Sequence, residues 1–377
     1  MLERKNRILF LITELSYGGV QLEALEMMRS MDLDMYEVYF FAGNNGPLSS
    51  EYNSLSFVTG SIYCFKKNKY SIKEFLLLAK IINENKINTI ISFSVKYSLL
   101  LSFLKYFNVK AFFIYRHSGI LFNKKMSPIK YWMNKTIEYL NISSSDKTIA
   151  VCPNNANKLT VNFPKHKKKI SWISTYYNFQ KFCNRNKVLD RKFIVDRYSL
   201  QNDSFIICCP QSFVKEKNQI ELVDIFIDFK QDCKNAFLFF CGDGIYIDVV
   251  KEYVRNRNLQ NDVFFTGSVS NIEIFISGSD VICSTSYYME GLPQICSQAN
   301  FCSTPMVFYD WEGVSDELYH CKNGFLIDFG NKLEFQNKLK SIYNLDIEKG
   351  SYSNYNLPHD NSVLEQFHEI LFFIPSN

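Results

Sequence analysis

Arg7-Ile8-Leu9-Phe10-Leu11-Ile12-Thr13, followed by Ser16-Tyr17-Gly18-Gly19 and then by Val20 to Met31, is the stretch whose reading decides the fold. Its first segment is apolar almost without alternation, which suits a parallel strand buried on both faces. The glycine pair is a turn. Leu22, Leu25 and Met28 then recur near helical spacing. A buried strand, a tight turn and a helix, in that order, are the opening unit of a doubly wound α/β domain.

The same alternation continues outward. Glu37–Ala42, Thr89–Phe93, Lys110–Tyr115 and Lys147–Cys152 read as strands. Ser71 with Glu74 predicts a capping box ahead of a helix through Ile72, Phe75, Leu76, Ala79 and Ile82. Ser127-Pro128 and Pro153 open two further helices, with proline suited to the first helical position. The second half repeats the pattern with strands at Phe205–Cys209, Phe237–Cys241, Val263–Phe265, Val281–Ser284, Met306–Phe308 and Phe325–Ile327. Two doubly wound domains are expected, 1–180 and 181–355, with a linker near Thr175–Lys187. Residues 356–377 would hold a separate C-terminal helix, Ser362–Phe373, able to return to the first domain.

Length and composition agree. At roughly 150 residues per domain, a chain of 377 residues makes two domains. With 47% hydrophobic and 21% charged residues it is neither disordered nor collagen-like. The longest apolar stretch, Ile87 to Phe107, is cut by Lys96 and Lys105 and falls short of the ~18 residues of a spanning helix. Arg4, Lys5 and Arg7 before a short apolar run imitate a signal peptide, but no cleavage site follows, so a cytoplasmic protein is expected. The 11 cysteines form no C-x-x-C pair, and Cys208, Cys209, Cys241 and Cys283 sit in apolar runs as small core residues would.

Charge is divided unevenly. Residues 1–185 hold 26 Lys+Arg against 12 Asp+Glu, and residues 186–377 hold 16 against 26. A basic half suggests a polyanionic or membrane-facing domain. Lys124, Lys125, Lys130 and Lys135 lie among Tyr131, Trp132 and Met133, and Lys165, Lys167, Lys168 and Lys169 form a second cluster. The expectation is contact with an anionic membrane surface, peripheral on its inner face. No nucleic-acid partner is expected.

In doubly wound sheets ligands bind beyond the carboxyl ends of the strands. Several polar and glycine-bearing segments fall there. Gly18 and Gly19 follow the first strand, where free N–H groups favour an anion. They do not form the G-x-G-x-x-G dinucleotide fingerprint. Lys217 follows Phe205–Cys209, within reach of a diphosphate. Cys241-Gly242-Asp243-Gly244 permits a tight turn. Glu290-Gly291-Leu292-Pro293 puts a carboxylate beside a helix start, fit for hydroxyls and phosphate together, or simply for an N-cap. Asp32-Leu33-Asp34 lies at the wrong end of a strand for a metal clamp, and no two histidines lie at ligand spacing. No metal and no cofactor are expected.

Taken together, Lys217-Asn218, Cys241-Gly242-Asp243-Gly244, Val263 to Gly267, Ser286 to Gln298, Pro305, Gly313-Val314-Ser315-Asp316 and Lys322-Asn323-Gly324-Phe325 resemble the donor-binding domain of glycosyltransferase family 4. The resemblance is strong over Ile206 to Asp328. It is weaker in the first half, where Gly18-Gly19 and an Arg116-His117 pair after a strand match. It implies a GT-B fold, two Rossmann-like domains facing a cleft. It implies a retaining, metal-independent hexosyltransferase-like enzyme whose donor is a nucleotide-diphosphate sugar and whose acceptor is a glycan or lipid-linked glycan of a cell-surface polysaccharide. Carried over residue by residue, it implies Glu290, His117 and Lys217 as catalytic. Gly18, Gly19, Ser212, Gly242, Gly267, Gly291, Leu292, Pro293 and Gln298 would line the donor. Two departures stand out. The family's second glutamate is here Gln298, and the arginine five positions before the lysine is Ser212. They raise an alternative, a degenerate nucleotide-sugar-binding subunit without catalysis.

Overall fold

The computed structural model describes residues 5–16, 18–63, 71–106, 109–122, 126–175, 181–183, 185–287, 293–310, 324–344 and 369. The described residues form two compact units, divided between Thr175 and Lys181. Apart from Glu369, the C-terminal helix expected within 356–377 lies outside them.

The first unit is built on β1 (Asn6–Ile12), β2 (Tyr36–Ala42), β3 (Val58–Ile62), β4 (Thr89–Ser92), β5 (Phe112–His117), β6 (Lys147–Ala150) and β7 (Ile170–Trp172). Their order in the sheet is β3-β2-β1-β4-β5-β6-β7, and every pairing is parallel. The apolar run that opened the sequence is therefore central, with β2 on one side and β4 on the other. Ile8, Phe10 and Ile12 pack on Ala24, Leu25 and Met28 of the helix Gly19–Arg29. Leu9 and Leu11, on the other face, join Leu78, Ile82 and Leu101 from the helices Ile72–Glu84 and Val95–Tyr106. Each such side chain contributes about 1.5–3 kcal/mol by leaving water. Both faces are thus occupied, which is why the run shows no polar alternation.

The second unit repeats the design with β8 (Phe205–Cys209), β9 (Ala236–Phe240), β10 (Val263–Phe265), β11 (Val281–Ser284), β12 (Met306–Tyr309) and β13 (Gly324–Ile327). The order is β10-β9-β8-β11-β12-β13, again all parallel. Phe205, Ile207 and Cys209 pack with Phe226, Phe229 and Phe240 on one face. Phe239 and Phe264 stack on the other at 4.9 Å. Cys208, Cys209 and Cys283 are core residues, with burial pushing their thiols up. Cys241 Sγ lies 3.8 Å from Cys208 Sγ, and the described cysteines are free thiols.

Two strands lie beyond the sequence reading, and two expectations need correction. The edge strands β3 and β7 were not legible: β3 carries Gly60, whose Cβ would strike the Phe40 ring, and β7 has only three residues. The capping box is not made. Ser71 gives no side-chain cap, and Glu74 is buried, where it accepts from Tyr97 Oη at 2.6 Å and from Lys96 Nζ at 2.7 Å. Last, Arg116 and His117 do not follow a strand but close β5, paired in register with Ile149 and Ala150.

The strand continues that far because Arg116 has buried partners. Its Nη2 and Nε donate to Glu23 Oε1 at 2.6 and 3.1 Å. Its Nη1 donates to Ala150 O and Ile173 O, and Nη2 also to Ser174 O. One fully buried guanidinium thus ties β5 to β6, to the segment after β7 and to the first helix. Removing one member of such a pair strands the other charge. Arg116→Ala should destabilise the first unit by about 3–5 kcal/mol, read from chemical denaturation. Glu23→Gln in the same background should restore part of that loss. A mutant as stable as the parent would show that Glu23 is not held as a buried charge.

Candidate active site

The carboxyl ends of β8 and β11 are neighbours, and there the strand order of the second sheet reverses. Such a switch point opens a crevice at the sheet edge. The loop after β8 runs through Gln211, Ser212 and the short turn Lys215–Lys217. The loop after β11 begins Thr285-Ser286-Tyr287. Hydrogen bonds stitch the two. Thr285 Oγ1 donates to Asn218 O at 2.9 Å, Ser286 Oγ to Glu216 O at 3.3 Å and Tyr287 N to Glu216 O at 3.1 Å. Beneath them Gln211 Nε2 donates to Ser284 Oγ at 2.8 Å.

Lys217 sits at the centre of this seam. It is only 9% exposed. Burial pushes the Cys209 thiol up, Cys241 pushes it further, and the Lys217 charge pulls it back. Asn218 follows at φ 54°, a left-handed conformation that asparagine tolerates better than most residues. Its Nδ2 donates to Glu221 Oε2, and Glu221 Oε1 accepts from Tyr309 Oη, both at 2.6 Å. The lysine therefore leaves the strand on a turn fixed from both sides, immediately before the helix Gln219–Asp232. A cation beside the free N–H groups of a helix start is a favourable seat for phosphate.

The glycines divide by function. Gly242 and Gly244 serve the fold: an added Cβ at Gly242 would lie 2.1 Å from Gln211 O, and one at Gly244 2.3 Å from Phe213 O. The loops after β8 and β9 interlock there, with Phe213 N donating to Asp243 O at 2.9 Å. Gly267, after β10, has φ 69° with open space around it, so only its conformation demands glycine. Ser212 is exposed, and its carbonyl accepts from Gln219 Nε2. Pro293 is buried and caps the helix Gln294–Phe301, on whose second turn Gln298 lies mostly buried. Glu290, Gly291 and Leu292 lie outside the described residues.

In the first unit, Gly18 caps the helix that starts at Gly19, and its extended φ of −160° is open to any residue. His117, which the resemblance implies as catalytic, belongs to the same unit. The ring is fully buried at the end of β5. Its Nε2 lies 3.4 Å from Glu138 Oε1 without the alignment of a hydrogen bond, and Tyr115 stands edge-on to it. Glu138, on the helix Pro128–Ser144, is buried as well. Asp32-Leu33-Asp34 forms a local turn at the amino end of β2, where Asp34 N donates to Asp32 Oδ1.

Sequence reasoning missed the Asn218–Glu221–Tyr309 chain, although Asn beside Lys217 was visible. It also missed Asp310 and Asp328 at the ends of β12 and β13, where burial and the Asp328 charge push the Asp310 carboxyl up. Among the described residues no group of three His, Cys, Asp or Glu could hold a metal ion, and no helix is long and apolar enough to cross a membrane.

Known proteins match this architecture. Residues 190–356, nearly the whole second unit, match the family Glycosyl transferases group 1. That match covers less than half of the chain, and the fold of the chain is GT-B. HepE of Anabaena, solved in complex with UDP, is similar with a TM-score of 0.77 over 97% of this chain and 99% of that one, at 16% identity. The poly(ribitol-phosphate) alpha-N-acetylglucosaminyltransferase of Staphylococcus aureus (strain COL) is 28% identical over 143 residues, 37% of this chain. The N-acetyl-alpha-D-glucosaminyl L-malate synthase of Bacillus anthracis is 22% identical over 199 residues, 53% of this chain. The matched stretches span 28% and 50% of those two proteins.

The two kinds of glycine should respond differently to substitution. Gly242→Ala drives a methyl group into a backbone oxygen and should cost at least about 1–3 kcal/mol as the loops part. Gly267→Ala meets only the left-handed penalty, about 1–2 kcal/mol. The larger fall in denaturation midpoint should belong to Gly242→Ala. The reverse order would mean that the two loops do not interlock as described.

Proposed function

We propose that the chain transfers a sugar from a uridine-diphosphate sugar, with retention of anomeric configuration and without a metal, to a glycan or lipid-linked acceptor of a cell-surface polysaccharide. The observation that carries this reading is the seam at the second sheet's switch point. There the Lys217 turn is hydrogen-bonded to the segment that leads into Glu290. It lies inside the stretch that matches the glycosyltransferase family. The uridine base is suggested by HepE, which has been solved with UDP and with UDP-glucose.

In this reading Lys217 and the adjoining helix start neutralise the diphosphate as the bond to the anomeric carbon breaks. The turn that holds Lys217 is fixed before substrate arrives, so little reorganisation is needed when charge moves onto the leaving group. Glu290 supplies a negative charge beside the sugar as positive character grows at the anomeric carbon. Its role is to position hydroxyls and to stabilise charge.

Two measurements test the assignment. In calorimetric titration with UDP, Lys217→Ala should weaken binding by roughly 1.5–3 kcal/mol, with an unchanged melting temperature of the free protein. Equal affinity would remove Lys217 from the site. In a panel of UDP-sugars scored for transfer and hydrolysis, Glu290→Gln should lower turnover by on the order of 10²-fold, with UDP affinity little changed. Turnover at the parental rate would leave Glu290 a helix cap. Ser212 and Gln298, which depart from the family pattern, favour one other reading: a nucleotide-sugar-binding subunit without catalysis. A parent protein that binds UDP but neither transfers nor hydrolyses any sugar would establish it.

A further inference from the structure

The helix Pro128–Ser144 packs one side onto the first unit and leaves the other bare. Ile129, Trp132 and Met133 are 84%, 62% and 54% exposed. At 3.6 residues per turn these three share one outward face with Thr136. Lys130 and Lys135 flank that face on opposite sides. Lys135 Nζ rests 5.4 Å from the centre of the Trp132 ring, so a cation and an indole are already paired at the surface. The helix has a single acidic residue, Glu138, and it is buried. Asp146, just beyond the helix, is paired with Lys105 at 2.7 Å.

A second basic element adjoins this face. Tyr139 packs its ring 6.3 Å from Phe163 and 5.5 Å from His166, which seats the turn Pro164–Lys169 beside the helix. Lys165, Lys167 and Lys168 are exposed on that turn. Lys169 is spent on the fold, since its Nζ donates to Ser143 O and Ser145 O at 2.7 Å each. Tyr131 is likewise turned inward, against Phe122. The structure thus narrows a broad basic sequence to one apolar stripe with lysines along its margins.

We propose that this face, Ile129, Trp132 and Met133 rimmed by Lys130, Lys135 and the Lys165–Lys168 turn, docks onto an anionic lipid bilayer. A stripe of three large apolar side chains has no use for a hydrated polyanion, whereas a bilayer interface takes apolar groups and cations together. Tryptophan prefers the headgroup level, and the lysine stems extend past the stripe to reach phosphates. Charge complementarity selects the lipid, because the exposed face carries no carboxylate of its own. The inference does not depend on the transfer reaction, for none of these residues belongs to the strand-edge site of the second unit.

The test is co-sedimentation of the full chain with phosphatidylcholine vesicles and with vesicles containing phosphatidylglycerol. The protein should pellet with the anionic vesicles only, and less in high salt. Each lysine near an anionic surface is worth about fivefold in affinity. Replacing Lys165, Lys167 and Lys168 together with Gln should therefore weaken binding by at least about tenfold. Trp132→Glu, with every lysine kept, should also lose vesicle binding while retaining the parental melting curve. Trp fluorescence should shift to the blue on vesicles, and Trp132→Phe should remove most of that shift. No preference for the anionic vesicles would overturn the proposal. So would undiminished binding by Trp132→Glu, which would indicate a site for soluble polyanions. A parent dimer in sedimentation that becomes monomeric with Ile129→Glu, and that ignores vesicles, would instead assign the face to a second copy of the chain.

Discussion

Parallel strands cannot be joined by tight turns. Each must be reached by a crossover, and so every strand in a parallel sheet ends on the same edge. Both units of this chain are built entirely of such strands among their described residues. The consequence is that chemically active loops collect along one edge of each sheet, while apolar residues fill both faces. The rest of the structure is an answer to the problem this creates. Several loops crowd one edge, each carrying backbone groups that need partners.

The two units solve it with different means. In the first, a buried arginine gathers the edge: Arg116 draws in Glu23 from a helix and three carbonyls from two neighbouring segments. The arrangement satisfies most of the donors of a guanidinium. It also leaves the adjoining His117 enclosed with Glu138. In the second unit the edge is assembled from backbone. Glycines let the loops after β8 and β9 pass within contact distance, and side-chain hydroxyls from the loop after β11 clasp the Lys217 turn. A buried ion pair fixes geometry at a cost in desolvation. Interlocked loops fix it with little charge of their own.

The same separation appears in the surfaces. The second unit carries the family match and the buried Lys217 turn, whereas the first carries the basic excess. On the first unit, several lysines turn out to hold the fold. Lys96 pairs with Glu74, Lys105 with Asp146, and Lys169 closes the carbonyl end of a helix. The exposed remainder is what a partner would meet, and it adjoins an uncovered apolar helix face. Charge counts from sequence overstate such a surface because they cannot subtract the internal pairs.

What the sequence determined by itself is the repeated α/β plan, the central strands and the place of the turns. These follow from local patterns: uninterrupted apolar runs, glycine pairs, and proline at helix starts. Lys217 and the Gly242 turn were legible for the same reason, since a strand end is visible in the run that precedes it. Only the tertiary structure decided what those residues touch. Glu74 looked like a helix cap until Lys96 and Tyr97 proved to be its partners, and Arg116 is bound to Glu23, 93 positions away. That Gly242 also makes room for Gln211 O could not be read from its own turn. The three-residue β7 became a strand by pairing with β6, having too little pattern of its own. Each of these rests on a contact between segments distant in the chain, and a pattern within one segment carries no information about the partner that a fold will bring to it.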